Sequence, residues 1–426
     1  MIRLAALLLC AWPRAAFSAE PPAGPAVETY TLEDAVRAAS RNNPSLQNAQ
    51  KNIAIAEQRV LEARLRFLPE LGLQASATRF KSNSPFALHP DFRSILLFPS
   101  DHRSFYSGQA YMNLAIYEGR RAVNTLKMAK QALKQTNSQY EAVKLDTVFE
   151  AKKVFYRFIL AQELLRATEE ISAAARSVAA KAEDGAWIML ESESLNAELR
   201  AEGSAAAHEL DLARLAFLKA IGRELDTPVR LDGVLSSQPV EADLRQALVW
   251  ATELRPELQS QIYKTQMDAI AVNLALGRRY PTLMLGMDYE LTDKEFPLRK
   301  NNWDATVGIR LPFGFDFWTQ HSQKVAEQRQ AEIALARLND EVQLEVRSAH
   351  KDLLFWQEEC PKREREYRRM RELFEAALRE RAGRDSLRAA SRVLSAQRRY
   401  LQDVTEHSLA RARLERAVGR EFPAGG

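Results

Sequence analysis

The chain is written twice. Ala35, Pro44, Leu46, Pro69, Leu71 and Leu73 recur as Ala247, Pro256, Leu258, Pro281, Leu283 and Leu285, six positions at a constant spacing of 212 residues. Further along, Gly185 and Gly222 correspond to Gly383 and Gly419 at spacings of 198 and 197 residues, a drift that a longer loop in the first copy absorbs. Any fold for this chain must therefore hold two similar units with the same order of elements.

Each copy begins with a helical stretch, 32–67 and 244–279, with Ala, Leu, Ile and Gln at helical spacing and an end at Pro69 or Pro281. Two short alternating stretches follow. Then comes a very long helical segment, 120–182 and 320–382, a break at Gly185 or Gly383, and a second helix to Gly222 or Gly419. Taken as helix at 1.5 Å per residue, either long segment reaches about 95 Å, far more than a globular domain spans, so it needs partners along its length. Ala129, Ala132, Ala142 and Ala151, with Ala326, Ala331, Ala334 and Ala336, permit close side-by-side packing. An antiparallel coiled coil satisfies that pattern as well as a larger helical assembly does. Pro361 inside the second long segment predicts a kink near Cys360.

The alternating stretches carry the membrane argument. Leu71, Leu73, Ala75 and Ala77 alternate with Gly72, Gln74, Ser76 and Thr78, and Ala110, Met112, Leu114 and Ile116 with Ser107, Gln109, Tyr111 and Asn113. In the second copy Leu283, Leu285, Met287, Tyr289 and Leu291 oppose Thr282, Met284, Gly286, Asp288 and Glu290. Trp303, Ala305, Val307, Ile309 and Leu311 oppose Asp304, Thr306, Gly308 and Arg310. A half-buried soluble sheet also alternates. Length near the ~9–11 residues of a tilted membrane strand, aromatic residues near the ends (Phe80, Phe105, Tyr106, Tyr289, Trp303) and charges on the polar face favour membrane strands around a wet lumen. The candidate lumen-facing residues are Gln74, Gln109, Asp288, Glu290, Asp304 and Arg310. Four strands cannot close a membrane barrel, since an open edge in lipid leaves backbone groups unpaired, so closure requires several copies of the chain. Residues 81–103 read as a long external loop and 292–302 as its shorter counterpart.

Residues 1–19 read as a secretory signal, with Arg3, an apolar run to Trp12 and small residues at Ala16, Ser18 and Ala19. Cys10 raises lipidation as an alternative, against which stands the large Leu9 before it. Once the signal is removed only Cys360 remains, so stability rests on packing or assembly rather than on an internal disulfide. No apolar run after the signal approaches the ~18 residues of a membrane helix. The formal charge of +4 does not imply nucleic acid. Histidines at 89, 102, 208, 321, 350 and 407 form no metal-ligand spacing, and neither a phosphate-binding glycine loop nor a Gly-x-Ser-x-Gly elbow is present, so no cofactor and no catalytic residue is expected.

Several segments, TLEDAVRAASRNNPSLQ at 31–47, FLPELGLQAS at 67–76, IYEGRR at 116–121, LRPELQ at 254–259, YPTLMLGMDY at 280–289, GIRLPFGF at 308–315 and AGRDSLRAASRVLSAQRRYL at 382–401 with AVG at 417–419, carry a resemblance in their order and duplication. The chain resembles the TolC-like outer-membrane efflux proteins. The resemblance implies a homotrimer in which each subunit gives four strands to a twelve-stranded barrel and its helices to a long periplasmic α-barrel. It also implies a periplasmic adaptor (membrane fusion) protein and an inner-membrane transporter of the RND, ABC or MFS type as partners, in tripartite efflux or type I secretion. By match to the family's glycine-containing turns, the tips that close the channel and meet the adaptor fall near 183–190 and 381–387, and involve Gly185, Ala186, Gly383, Arg384, Ser386 and Leu387. Some relatives carry acidic residues one and two turns after the second tip glycine. Here those positions hold Ala389 and Arg392, so an acidic ring from the second tip is not expected; Glu191 and Arg392 are candidate constriction residues, with a solvated helix face the favoured reading of each.

The expected organisation is thus a signal at 1–19, a periplasmic segment at 20–30, a first repeat at 31–222, a linker at 223–242, a second repeat at 243–419 and a tail at 420–426. The first repeat has strands at about 70–80 and 104–117 and a helical hairpin at 120–222. The second has strands at about 282–291 and 303–312 and a hairpin at 318–419. The expected fold is mainly α with a transmembrane β part, in an outer membrane with a long periplasmic portion. The competing reading is a periplasmic structural or adaptor-like coiled-coil protein that does not enter the membrane.

Overall fold

The computed structural model describes residues 27–79, 87–88, 95–96, 104–179, 186–293, 295–312, 314, 316–379 and 383–422. The expected signal at 1–19, with Cys10, lies outside these residues. In chain order the elements are β1 (Glu28–Tyr30), α1 (Leu32–Asn42), α2 (Pro44–Leu65), β2 (Glu70–Arg79), β3 (Ala87–Leu88), β4 (Ile95–Leu96), β5 (Ser104–Glu118), α3 (Arg121–Ala179) and α4 (Ala186–Ile221). They continue with β6 (Val229–Leu231), α5 (Leu244–Leu254), α6 (Pro256–Gly277), β7 (Thr282–Asp293), β8 (Lys300–Arg310), α7 (Phe317–Arg379) and α8 (Gly383–Val418).

The duplication is legible in helix length. α1 and α5 both have 11 residues, α2 and α6 both have 22, and α4 and α8 both have 36. One feature differs from the sequence reading: the opening stretch of each repeat is not one helix but two. Pro44 and Pro256 disfavour helical backbone at the residue before them, and Asn43 (ψ 122) and Arg255 (ψ 119) are extended. Each proline then occupies the first turn of the next helix, where its missing N–H costs nothing. Thr31 and Asp243 cap α1 and α5 by accepting from the amides of Asp34 and Arg245.

The same break lets the helices stack end to end. α4 finishes against the α1–α2 corner, where Asn42 Nδ2 donates to the Ile221 carbonyl at 3.3 Å, and α8 finishes against the α5–α6 corner, where Arg255 Nη1 reaches the Ala417 carbonyl at 3.4 Å. Gly222 (φ 67) and Gly419 (φ 78) make these endings possible, because the backbone there is left-handed and the next amide turns back to a carbonyl five residues earlier. α2 and α4 thus lie in line beside the 59-residue α3, and α6 and α8 beside the 63-residue α7. α7 runs through Pro361 without interruption, and Cys360 beside it is fully buried. Gly383 is the first residue of α8 rather than part of the break before it.

Three cores hold the helices. Tyr30, Phe155, Phe158 and Phe217 dominate the first repeat, Val342, Val346, Leu353 and Leu414 the second. A third core, with Ile171, Leu199, Phe374, Val393 and Leu394, ties the two hairpins together toward their tips. β1 and β6 pair in parallel, which fastens the segment before the first repeat to the linker after it.

The four long strands form one sheet in the order β2-β5-β7-β8, all antiparallel. The helices that leave it pack in the same sequence: α2 on α3, α3 on α6, α6 on α7. β7 and β8 run further than the alternation suggests, to Asp293 and from Lys300, so the link between them is shorter than the expected 292–302. The link between β2 and β5 contains the short antiparallel pair β3–β4. Among the described residues no helix is long and apolar enough to cross a membrane.

Candidate pore face and periplasmic tips

Strand register decides which residues share a face, since directly paired residues point the same way and neighbours along a strand point oppositely. Gln74, Gln109, Glu290 and Asn302 form one cross-sheet row, and Gly72, Tyr111, Asp288 and Asp304 form the next. Arg310, paired with Thr282, lies on the same face at the end that joins the helices. All six residues expected to face the lumen therefore lie on one side of the sheet. Gln109 Nε2 donates to Asp288 Oδ1 at 2.9 Å, and the Ser76 and Ser107 hydroxyls share a hydrogen bond of 2.8 Å on that side.

The opposite side is apolar and open. Leu73 is 88% exposed, Trp303 71% and Val307 66% in the single subunit. A contiguous apolar face of this extent calls for a nonaqueous neighbour. Ile116 departs from the alternation. A β-bulge between Ala115 and Tyr117 places Tyr117, not Ile116, in the apolar row opposite Leu283. Tyr111 fills the polar face over Gly72, where a Cβ would run into its ring. β2 and β8 each leave one edge unpaired, the arrangement that demands closure by further copies.

At the far end of the hairpins, Gly185 lies outside the described residues. Ala186 opens α4, and Gly383, Arg384, Ser386 and Leu387 occupy the first turns of α8. Glu191 lies in α4, close to the start of the helix. Arg392 is exposed on α8, beside the buried Val393 and Leu394.

Sequence reasoning missed an ionic belt where α8 meets the α5–α6 corner. Arg255, almost wholly buried, pairs with Glu257 at 3.1 Å and Glu345 at 2.5 Å. Arg416 bridges Glu345 and Asp146, each at 2.6 Å, so the belt reaches α3 of the first repeat. Burial pulls the Arg255 guanidinium pKa down, but its hydrogen bonds to Glu257 and Glu345 outweigh that and hold it above the ordinary value. Burial likewise pushes the Glu257 carboxyl up, and Arg255 more than reverses it. The linker is anchored nearby: Gln357 Nε2 donates to the Val240 carbonyl at 3.0 Å, and His350 Nε2 lies 2.9 Å from the Ala242 carbonyl. The partners are up to 270 residues apart, and only the arginine before the helix-breaking proline hinted at the site.

His407 on α8 is buried with neither ring nitrogen hydrogen-bonded among the described residues, and burial followed by the nearby Arg411 charge holds its pKa below the ordinary value. Burial pushes the Cys360 thiol up to about 11, which leaves it an unreactive packing residue.

A polar sheet face, an exposed apolar face, two open edges and helical hairpins far longer than a globular domain are the features expected of a membrane-channel subunit with a helical extension. Residues 35–186 match the family described as outer membrane efflux protein. The fold is similar to that of CusC (15% identity, TM-score 0.76, 97% of this chain and 99% of that one). It is also similar to the CmeC outer membrane channel of Campylobacter jejuni (15%, 0.79, 91% and 85%) and to the outer membrane protein VceC of Vibrio cholerae (15%, 0.74, 92% and 96%). No curated protein matches the chain in sequence. The family match lies within the first repeat, and the likeness to these outer-membrane channels extends over the fold of nearly the whole chain.

Proposed function

We propose that this chain is one subunit of a trimeric outer-membrane channel that conducts solutes passively from the periplasm to the exterior, with Gln74, Gln109, Asp288, Glu290, Asp304 and Arg310 lining the water-filled barrel. The observation that carries this reading is the sheet: one face is polar, the other is exposed and apolar, and both edges are open. Three copies supply twelve strands, enough to close a barrel, as four are not.

The family's members are channels that work with adaptor proteins and inner-membrane transporters. Here the hairpin tips, with Gly185, Ala186, Gly383, Arg384, Ser386 and Leu387, are the proposed adaptor contact, and an RND, ABC or MFS transporter supplies the energy. Glu191 and Arg392 are the proposed constriction residues, so the gate carries both signs of charge. The segmentation into a removed signal at 1–19, two repeats at 31–222 and 243–419 and a linker at 223–242 belongs to the same proposal. The corresponding experiment is reconstitution of the purified protein in planar bilayers: discrete conductance steps and resistance to carbonate extraction from outer membranes are expected. Extraction by carbonate alone, with no conductance, would mean a periplasmic protein instead.

A further inference from the structure

We infer that the junction between barrel and helices holds a binding site for a phosphate-bearing anion inside the channel. A cavity of about 700 Å³, within the size range of small-molecule sites, opens among α3, α6 and α7 just below the sheet. Four cations line it, Arg66, Arg121, Arg278 and Lys324, against one carboxylate, Glu118. Arg66 and Arg278 stand at the C-terminal ends of α2 and α6, 212 residues apart, so the duplication delivers the same residue twice to one cavity. A lone arginine at a helix C-terminus is explained by the helix dipole. Two from successive repeats, joined by Arg121 from the start of α3, concentrate charge beyond that role.

Ion pairing leaves the cavity's charge largely uncompensated. Some helix-surface arginines are matched by a carboxylate one turn away, as in Arg166–Glu170, Arg337–Glu341 and Arg371–Glu375. Among the described residues, no carboxylate lies within ion-pairing distance of Arg66, Arg121 or Arg278. Arg121 Nε instead donates to the Glu118 carbonyl at 3.2 Å, and Arg278 to the Gln320 side chain. Lys324 is the one neutralised member, through Glu327 at 2.6 Å. Guanidinium groups present planar forks of donors that suit phosphate oxygens.

Glu118 fixes the side of the wall. It pairs with Thr282, itself paired with Arg310, so it lies on the polar sheet face, and the cavity it lines opens toward the channel axis. This placement rests on the pore reading above, but the cavity lies within a single subunit, so binding is measurable whether or not the channel conducts.

The test is titration calorimetry of tripolyphosphate into the purified oligomer in neutral detergent, with salt varied. Saturable binding that weakens with salt is expected, and that weakens at least roughly tenfold in Arg66→Gln/Arg278→Gln, the loss of about one charge-assisted contact. Arg337→Gln, which removes a paired surface arginine, should leave it unchanged. The wild-type salt series reads the site without any variant: absent or salt-insensitive binding overturns the proposal. A parallel arm measures phosphatidylglycerol retained by the protein in mixed phosphatidylcholine nanodiscs. If the double variant loses that lipid while tripolyphosphate binding is unchanged, the anion is a headgroup from the bilayer and the channel-side site is wrong.

Discussion

The two repeats share one backbone plan and solve the same packing problem with different chemistry. At the corner where the hairpin returns to meet the opening helices, the first repeat uses aromatic rings: Tyr30 lies edge-on to Phe217 at 5.8 Å, and Phe158 is tilted against it at 5.6 Å. Its polar contacts there are Asn42 donating to the Ile221 carbonyl, the Ser45 amide donating to Asn43, and a half-exposed Arg223–Glu28 pair at 3.3 Å. The second repeat has Leu353 where the first has Phe155 and Leu414 where the first has Phe217, and it fills the corner with the Arg255–Glu257–Glu345–Arg416 belt. Equal lengths in three of the four helix pairs, with unlike interiors, show that the architecture is set by element length and corner geometry, while the stabilising interactions are free to differ. They also make the second corner, with its buried multi-residue belt, more sensitive to pH than the first, whose Arg223–Glu28 pair is half-exposed.

The largest effect expected to break this comparison is in the aromatic core. Phe155→Ala should destabilise the assembled protein by about 3–5 kcal/mol, and its counterpart Leu353→Ala by about 2–5 kcal/mol, read from the temperature at which the oligomer dissociates and unfolds. In the membrane the repeats should behave alike. Leu285→Arg and its equivalent Leu73→Arg should each hinder barrel insertion by about 2–4 kcal/mol if they lie near mid-depth, measured as folded fraction in lipid vesicles. Insertion of either variant at wild-type yield would mean that the sheet faces are assigned in reverse.

At the corners the asymmetry should reappear. Arg255→Met leaves Glu257 and Glu345 without their buried cation and should cost about 3 kcal/mol, against about 1 kcal/mol for Asn43→Ala, which removes only a helix cap. Equal losses at the two corners would erase the distinction drawn between them.

The smallest effect is pH dependence. The Glu257 carboxyl is depressed in the folded chain, so its contribution is present above its ordinary pKa of 4.5 and is lost as pH falls through the lower folded value. His407 is also depressed. As pH falls below its ordinary 6.5 the unfolded chain takes up the proton first, and stability declines until the folded pKa is passed. His407→Leu should remove the decline that begins near pH 6.5 while leaving the more acidic one, as followed by thermal unfolding across a pH series.

Much of the architecture was legible because it depends on local rules. Period-two alternation located all four strands, and glycine and proline located the helix ends. The breaks before Pro44 and Pro256 were not legible, since apolar spacing continues across them and a proline is compatible with the start of a helix as well as with its end. The bulge at Ile116 was hidden for a related reason: a one-residue insertion leaves composition unchanged and shifts only register. For the pore face, alternation sufficed to assign all six residues to one side. The Arg255 belt and the cationic cavity depend on residues brought together by the fold, although the equal spacing of Arg66 and Arg278 was a usable sign. The tip residues came from family likeness, because helix tips carry little local pattern of their own.

The central claim is that one sheet face meets water and the other meets lipid. The direct measurement is thiol labelling in outer-membrane vesicles, with single cysteines introduced at Gln74, Gln109 and Asp304 on one face and at Leu73, Met287 and Val307 on the other. The native Cys360 thiol is buried and pushed up to about 11, so it adds little background. A charged, water-soluble reagent should label the first set and leave the second unmodified. Labelling of both sets alike, or of the second alone, would contradict the account.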